Sequence, residues 1–248
     1  MGRLIVVLPA YNEEVTLPPL LERYAALGIP FHMVVVDDGS DDRTVERIAP
    51  YQDRMSLEIV SHGVNRGLGC AMQTGMARAI ELVGADGVIV SMDADNSHLP
   101  RQIPEMLRKI ERGSDVVIAS RYRKGSVVKG VPRHRRMLSW GLFLLLKALF
   151  PVPGVRDYSC GFRAYRASAM DRAVRTYGDR FITASGFQVQ LEILLKLARL
   201  GATFAEIPME LRYDFKLSPS KIRIGRTIAN SLRVMWNVRR LPKAAARE

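Results

Sequence analysis

The feature that most restricts this 248-residue chain is a regular alternation, through its first half, of short apolar runs and longer helix-periodic segments. The runs Arg3 to Leu8, Phe31 to Val36, Ser56 to Ser61, Gly87 to Ser91 and Asp115 to Ala119 are rich in Val, Ile and Leu and read as buried strands. Between them, Val15, Leu17, Leu20, Leu21 and Leu27 suggest a helix, with Pro18-Pro19 tolerated only near its first turn. Arg43 to about Ala49, Gly69 to about Val83 and Arg101 to Arg112 suggest three more, with Ser40 or Asp41 placed to cap the first of these. A strand–helix–strand order makes successive strands parallel, because the crossing helix returns the chain to the same end of the sheet. The expected fold class is therefore α/β, a three-layer sandwich with a mostly parallel central sheet.

Such a sheet binds ligands beyond the carboxyl ends of its strands. The chain has no Gly-x-Gly-x-x-Gly after its first strand and no Gly-Lys-Ser/Thr phosphate loop, which argues against a dinucleotide oxidoreductase and a P-loop NTPase. Strands one, two and four instead run into Asn12-Glu13-Glu14, Asp37-Asp38 and Asp93-Ala94-Asp95. Carboxylates there can accept hydrogen bonds from a base N–H or from ribose hydroxyls. Asp93 and Asp95, two apart on an extended strand end, point to the same side. Their like charges repel unless a cation lies between them, and a hard cation such as Mg²⁺ or Mn²⁺ takes such oxygens while leaving room for substrate phosphates. The other reading is a polar loop in which Asp93 or Asp95 caps the helix beginning near Pro100.

The second half is less regular. Ser120 to Pro132 is polar and basic and reads as a mobile loop. Arg135 to Phe150 reads as a helix ended by Pro151-Val152-Pro153-Gly154, Arg156 to Tyr165 as a loop and strand, and Phe187 to Leu200 as a helix stopped by Gly201. Thr203 to Ile207 and Pro208 to Tyr213 read as strands. Ile222 to Leu241 reads as a helix with one apolar face (Ile224, Ile228, Leu232, Met235) and one basic face. We divide the chain into a domain of residues 1–215 and a basic loop with an amphipathic helix at 216–248.

The net charge of +12 is concentrated in Arg121 to Arg136 and Lys216 to Arg247, which predicts an anionic partner. Nucleic acid fits poorly: only Tyr122, Trp140 and Trp236 lie near the basic runs, and the acidic strand ends would repel a phosphate backbone. The apolar stretch Trp140 to Phe150, at about 1.5 Å per residue, is too short to cross a bilayer core of roughly 30 Å. It can lie in a membrane interface or belong to the core. Leu4 to Leu8 is broken by Pro9, so no signal peptide is expected. Cys70 and Cys160 have no metal-ligand spacing and no disulfide is inferred.

Six motifs then occur in order: Leu8-Pro9-Ala10-Tyr11-Asn12-Glu13-Glu14, Val36-Asp37-Asp38-Gly39-Ser40-Asp41-Asp42-Arg43-Thr44, Asn65-Arg66-Gly67-Leu68-Gly69, Asp93-Ala94-Asp95, Ser120-Arg121-Tyr122 and Cys160-Gly161-Phe162-Arg163. Together they resemble the inverting family 2 glycosyltransferases of GT-A fold, and most nearly the polyprenyl-phosphate (dolichyl-phosphate) hexosyltransferase branch. The resemblance implies a Rossmann-like nucleotide-binding domain. It also implies metal-dependent transfer of a hexose from GDP-mannose or UDP-glucose to a polyprenyl (dolichyl) phosphate.

Carried over residue by residue, the resemblance implies that Pro9, Tyr11, Glu13 and Asp38 hold the base and ribose. Asp93 and Asp95 would bind the diphosphate through Mg²⁺ or Mn²⁺. Ser97 stands where the family commonly has Gln as a further metal ligand, so the third ligand is Ser97, acting through water, or His98. Arg121, Arg135 or Arg136, and Ser139 match the cradle of the acceptor phosphate. Lys221 matches a loop that closes over the donor diphosphate, with Arg212 and Lys216 as the other candidates. Asp157 matches an acidic position near the acceptor. It would act as base toward a hydroxyl acceptor, or hold Arg163 or Arg156 in place. The expected catalytic set is thus Asp95, Asp157 and Arg121. A phosphate acceptor is already anionic near neutral pH, its second pKa being about 6, so it needs no strong base. The alternative acceptor is a hydroxyl on a sugar or small molecule. The helix at 137–150 is expected to meet the lipid tail and the C-terminal helix to face anionic headgroups. A peripheral protein on the cytosolic face of a membrane, without a transmembrane helix, is the expected setting.

Overall fold

The computed structural model describes residues 2–130, 141, 143–215 and 224–241, with the backbone alone for 224–229. Its frame is a seven-stranded sheet in the order β3-β2-β1-β4-β7-β5-β8. The strands are β1 (Leu4–Ala10), β2 (His32–Asp37), β3 (Leu57–Ser61), β4 (Val88–Ser91), β5 (Val116–Ser120), β7 (Arg163–Arg166) and β8 (Phe204–Pro208). All seven residues of β1 are buried, as befits a strand covered on both faces. Each fully buried Ile, Leu or Val side chain there stabilises the fold by about 1.5–3 kcal/mol over leaving it in water. β1 pairs in parallel with β2 and β4, aligning Ala10 with Asp37 and Val7 with Ser91. The acidic strand ends thereby come out along one edge.

The helices are α1 (Leu17–Ala25), α2 (Thr44–Ile48), α3 (Leu68–Val83), α4 (Ile103–Glu111), α5 (residues 143–149), α6 (Ala167–Tyr177), α7 (Val189–Arg199) and α8 (Ile224–Arg239). The α/β sandwich expected from the alternation is present. One strand departs from it: β7 lies antiparallel between β4 and β5 and keeps those two apart. Both β4 and β5 are too short to signal which neighbour each takes, and only the return of the chain at residues 163–166 fills the gap.

Four local expectations change. The segment expected as a mobile loop from Ser120 contains β6 (Val127–Lys129), which pairs with β9 (Glu210–Arg212) in a separate two-stranded ribbon. The cap of α2 is neither Ser40 nor Asp41. Ser40 turns its hydroxyl to Asp37, and Asp42 Oδ1 accepts the Thr44 N–H at 2.9 Å. α6 was not anticipated, although Met170, Ala173 and Tyr177 are buried at helical spacing; the small alanines of its face weaken the apolar signal. On α8 the buried face is Ser231, Val234, Met235 and Val238, whereas Leu232 is exposed.

Candidate active site

β4 delivers the acidic pair to the edge where β1 and β2 also end. The Ser91 hydroxyl donates to the Gly161 carbonyl at 2.8 Å, tying the end of β4 to the Cys160–Arg163 segment. Asp93 is half-buried and Asp95 is buried. Neither caps the following helix, which starts at Ile103 with Gln102 at its cap position, so the capping alternative falls. Asn96 adopts φ 61°, a left-handed conformation that asparagine tolerates better than most residues, and the chain turns sharply there. Ser97 donates both its N–H and its hydroxyl to Asp95 Oδ1, at 3.1 and 2.6 Å. Its hydroxyl proton thus holds Asp95 in place. His98 is buried, stacks on Phe162 with centroids 5.5 Å apart, and has no hydrogen-bond partner for Nδ1 among the described residues.

These residues suit a divalent cation. A Cβ placed on Gly161 would come within 2.8 Å of Asp93 Oδ1, so glycine is what lets the Asp93 carboxylate sit against the backbone. Among the described residues no three His, Cys, Asp or Glu side chains cluster to enclose a metal. A two-carboxylate, open donor set is what Mg²⁺ or Mn²⁺ uses when it also keeps water and substrate phosphates.

The neighbouring strand ends are zipped together. The Tyr11 hydroxyl donates to Asp41 Oδ2 at 3.2 Å, Asn12 N–H to Ser40 Oγ at 2.9 Å, and Glu13 N–H to Thr44 Oγ1 at 2.8 Å. The Glu13 carboxylate accepts the Thr16 hydroxyl, and Pro9 is buried within β1. Asp38, expected to hold the nucleotide, is engaged by the protein. Its carboxylate accepts the N–H groups of Arg66 and Gly67 at 3.0 and 2.8 Å and faces His62 Nδ1 at 2.8 Å. Gly67 sits at φ 91°, which the turn into α3 requires. Asp38 therefore anchors the Asn65–Gly69 turn directly, and His62 extends the network to Thr74 at 2.9 Å.

On the other side of the acidic pair, β5 presents Arg121. Its guanidinium makes a fork with Asp157, Nε to Oδ2 at 2.8 Å and Nη2 to Oδ1 at 2.7 Å, and Nη2 also reaches Ser159 Oγ at 2.7 Å. Asp157 is fully buried, while the Arg121 side chain is 25% exposed. Asp157 accepts further bonds from the N–H groups of Arg121 and Cys160, both at 3.1 Å. Burial pushes the Asp157 carboxyl up, but the Arg121 charge and hydrogen bonds outweigh it and hold it below the usual carboxylate range. An ionised, saturated carboxylate of this kind is a poor proton acceptor. The arginine that Asp157 holds is Arg121, in place of the expected Arg163 or Arg156. Arg163 lies wholly buried and donates to the carbonyls of Gln190 and Tyr158. Arg212 pairs with Asp214 at 2.7 Å. Arg135, Arg136, Ser139, Lys216 and Lys221 lie outside the described residues.

Sequence reading missed Glu206. Its Oε1 accepts the N–H groups of Arg156 and Asp157 at 2.6 and 2.8 Å, fixing the loop that carries Asp157. Its Oε2 is buried without a hydrogen-bond partner, and burial raises its pKa. A lone acid inside the apolar run Thr203 to Ile207 was the available signal. Glu206→Gln keeps the accepting oxygen and should hold stability within about 1 kcal/mol. Glu206→Ala leaves the buried Asp157 N–H and the part-buried Arg156 N–H without their acceptor and should cost about 1–3 kcal/mol by urea denaturation. Because the folded-state pKa is raised, the wild type should be more stable below the usual glutamate range and lose that increment as pH rises. Glu206→Gln should remove that slope.

Residues 5–173 match the sequence profile described as Glycosyl transferase family 2. The chain belongs to this family. A dolichol-phosphate mannosyltransferase of Pyrococcus furiosus is 30% identical over 239 residues, covering 94% of this chain and 62% of that protein. The chain thus spans less than two thirds of that relative. An undecaprenyl-phosphate mannosyltransferase of Micrococcus luteus is 32% identical over 238 residues, 93% of each chain. A polyprenol monophosphomannose synthase of Mycolicibacterium smegmatis is 30% identical over 229 residues, 89% and 83% of the two. Among solved structures, glucosyl-3-phosphoglycerate synthase from Mycobacterium tuberculosis in complex with Mn²⁺, uridine diphosphate and phosphoglyceric acid aligns with TM-score 0.69 at 20% identity, over 98% of this chain and 80% of that one. The same enzyme with Mg²⁺ and uridine diphosphate aligns at TM-score 0.68 and 21% identity, over 98% and 81%. These likenesses show the GT-A fold. The family 2 chain is a glycosyltransferase.

Proposed function

We propose that this glycosyltransferase moves a hexose from a nucleotide-sugar to a polyprenyl phosphate, with inversion at the anomeric carbon. Mannose from GDP-mannose is the first choice of donor and glucose from UDP-glucose the second. The observation that carries the reading is the Arg121–Asp157 fork beside the Asp93/Asp95 strand end. A phosphate acceptor arrives already ionised and needs a cation to place it, not a base. The partly exposed Arg121 guanidinium supplies that cation in a fixed orientation, while Asp157 is buried and its oxygens are taken up by Arg121 and backbone N–H groups, which favours a phosphate over a hydroxyl acceptor. Three relatives whose names specify polyprenyl-type phosphate mannosyl transfer support the same acceptor.

Asp93 and Asp95 would hold Mg²⁺ or Mn²⁺, which supplies charge neutralisation to a departing diphosphate. Ser97 keeps Asp95 aligned. The turns at residues 11–14 and 65–67, braced by Asp41, Thr44 and Asp38, shape the nucleotide side. Arg135 or Arg136, Ser139 and Lys221 remain proposed contacts to the two phosphates. A peripheral position on the cytosolic face of a membrane follows from a lipid acceptor; among the described residues no helix is long and apolar enough to cross a bilayer.

Radiolabelled GDP-mannose and UDP-glucose, each with Mn²⁺, test the reading against undecaprenyl phosphate and undecaprenol. Label should enter the lipid fraction with the phosphate alone. Transfer to the free alcohol at a comparable rate would replace this reading with the hydroxyl acceptor.

A further inference from the structure

β7 separates the two strands whose ends carry the charged groups. Along the sheet, β4 leads to Asp93 and Asp95, β7 comes next, and β5 leads to Arg121. Adjacent strands lie about 4.8 Å apart, so β4 and β5 stand about 9.6 Å apart with the start of β7 between them. Ser91 and Ile118 both pair with Arg163, and continuing that register by two residues brings Asp93 and Ser120 level with Gly161. Gly161 is thus the floor between the acidic pair and the Arg121 fork. With a diphosphate leaving at Asp93 and Asp95 and an acceptor phosphate held at Arg121, the hexose passes over that floor.

The Gln190 carboxamide reaches the same floor as Asp93. A Cβ on Gly161 would stand 2.8 Å from Asp93 Oδ1 and 3.5 Å from Gln190 Nε2. Gln190 belongs to α7, in which every residue from Val189 to Leu197 is buried. Polar groups buried there are costly unless bonded. Glu192 and Lys196 bond each other at 2.6 Å, and Glu192 also accepts the N–H groups of Thr183 and Ala184 at 2.8 Å. Gln190 is served differently. It is 5% exposed, yet its carboxamide has only a 3.5 Å contact from the Tyr165 hydroxyl and a 3.9 Å contact to the Met72 sulfur among the described residues. An amide offers two N–H donors and an oxygen with two lone pairs, and contacts of that length leave most of this capacity unused. Its backbone is firmly held. The wholly buried Arg163 donates to the Gln190 carbonyl at 2.5 Å and to the Tyr158 carbonyl at 2.8 Å, tying the start of α7 to the segment that leads to Gly161.

We propose that Gln190 is a specificity-determining residue that hydrogen-bonds a hydroxyl of the transferred hexose. The proposal rests on the nucleotide-sugar donor given above and not on the acceptor. A sugar hydroxyl both donates and accepts, as an amide does. A carboxylate at this position would repel Asp93, and a cation would compete for it with a divalent ion. A site built to bond a hydroxyl rejects a sugar lacking it more strongly than an apolar pocket does, because the buried polar group is left unpaired. Arg163 is then a positioning residue, holding Gln190 and the Gly161 floor in one register.

The test uses the full chain with Mn²⁺, the more tightly bound of GDP-mannose and UDP-glucose, and the 2-, 3-, 4- and 6-deoxy forms of that donor. Gln190→Met keeps the length and packs beside Met72, and Gln190→Ala keeps the helix, so the two together guard against a variant that misfolds. Titration calorimetry gives donor affinity, and donor hydrolysis by water gives a turnover free of any acceptor. In wild type at least one deoxy donor should fall about tenfold or more below the parent in kcat/KM. In Gln190→Met that penalty should shrink to within about threefold, while the parent donor loses about tenfold to a hundredfold. Affinity for GDP or UDP alone should stay within about twofold, since the nucleotide side lies at the ends of β1 and β2. A loss shared equally by every donor and by the free nucleotide would make Gln190 merely structural and overturns the proposal. So does a deoxy penalty that survives in both variants. Failure of GDP-mannose and UDP-glucose alike to bind removes the donor reading and this proposal with it. Donor binding that shows the Gln190 effect, with no transfer to undecaprenyl phosphate, removes the proposed acceptor alone.

Discussion

Asp95→Asn should reduce sugar transfer by about a thousandfold and weaken Mn²⁺ binding beyond detection by titration calorimetry. Asp95 is buried at the end of β4 and is oriented by two hydrogen bonds from Ser97. Asparagine keeps the volume and an oxygen for Ser97, so the loop survives; what disappears is one of two negative charges offered to a dication. Losing the electrostatic stabilisation of a leaving diphosphate costs several kcal/mol, and each 1.36 kcal/mol is a factor of ten in rate. Asp93→Asn should behave alike. Removal of divalent ions by a chelator should give the same loss in wild type and no further loss in the variant. Transfer by Asp95→Asn within tenfold of wild type would remove the metal–diphosphate role from this pair.

The second large effect falls on stability as well as activity. Asp157→Ala should destabilise the fold by about 3 kcal/mol, because removing one member of a buried pair strands the other. The loss falls at the low end of the usual range of about 3–5 kcal/mol because the Arg121 side chain is 25% exposed to water. The N–H group of Cys160 also loses its acceptor. Transfer should fall by a further factor of roughly a hundred, since an unclamped guanidinium no longer holds its orientation. The pH dependence has a definite sign. The Asp157 carboxyl is held below its ordinary value, so its contribution is present above the unfolded pKa of about 3.9 and is lost as pH falls through the lower folded value. Asp157→Asn should lack that acid limb and show no new group titrating in the rate profile between about pH 5 and 8. A bell-shaped profile that loses its acidic arm in Asp157→Asn would restore Asp157 as a base.

Expectation and structure part company in a regular way. The strands, most helices and the positions of the three acidic clusters could be read from the chain, since period-2 and period-3.6 patterns report local burial and strand ends are local events. The Asp93/Asp95 pair was legible for the same reason. Ser97 occupies a motif position that suggests a metal contact. Its hydrogen bonds to Asp95 depend on the left-handed turn at Asn96, which no apolar pattern announces. The amphipathic character of α8 was visible too, yet its face was misassigned: Leu232 and Met235 both look apolar in sequence, and only packing against α7 decides which one is covered.

What the amino-acid order by itself determined is the α/β alternation, the carboxylates at strands one, two and four, and the basic tracts, because each is written in neighbouring residues. Only the tertiary structure decided that Asp157 clamps Arg121, 36 positions away, and that Glu206 holds the Asp157 loop from 49 away. It also decided that β7 enters antiparallel between β4 and β5. A charged side chain fits many partners in sequence. Which of them it meets inside the protein is fixed by strand order and register, where an unpaired charge costs too much to persist.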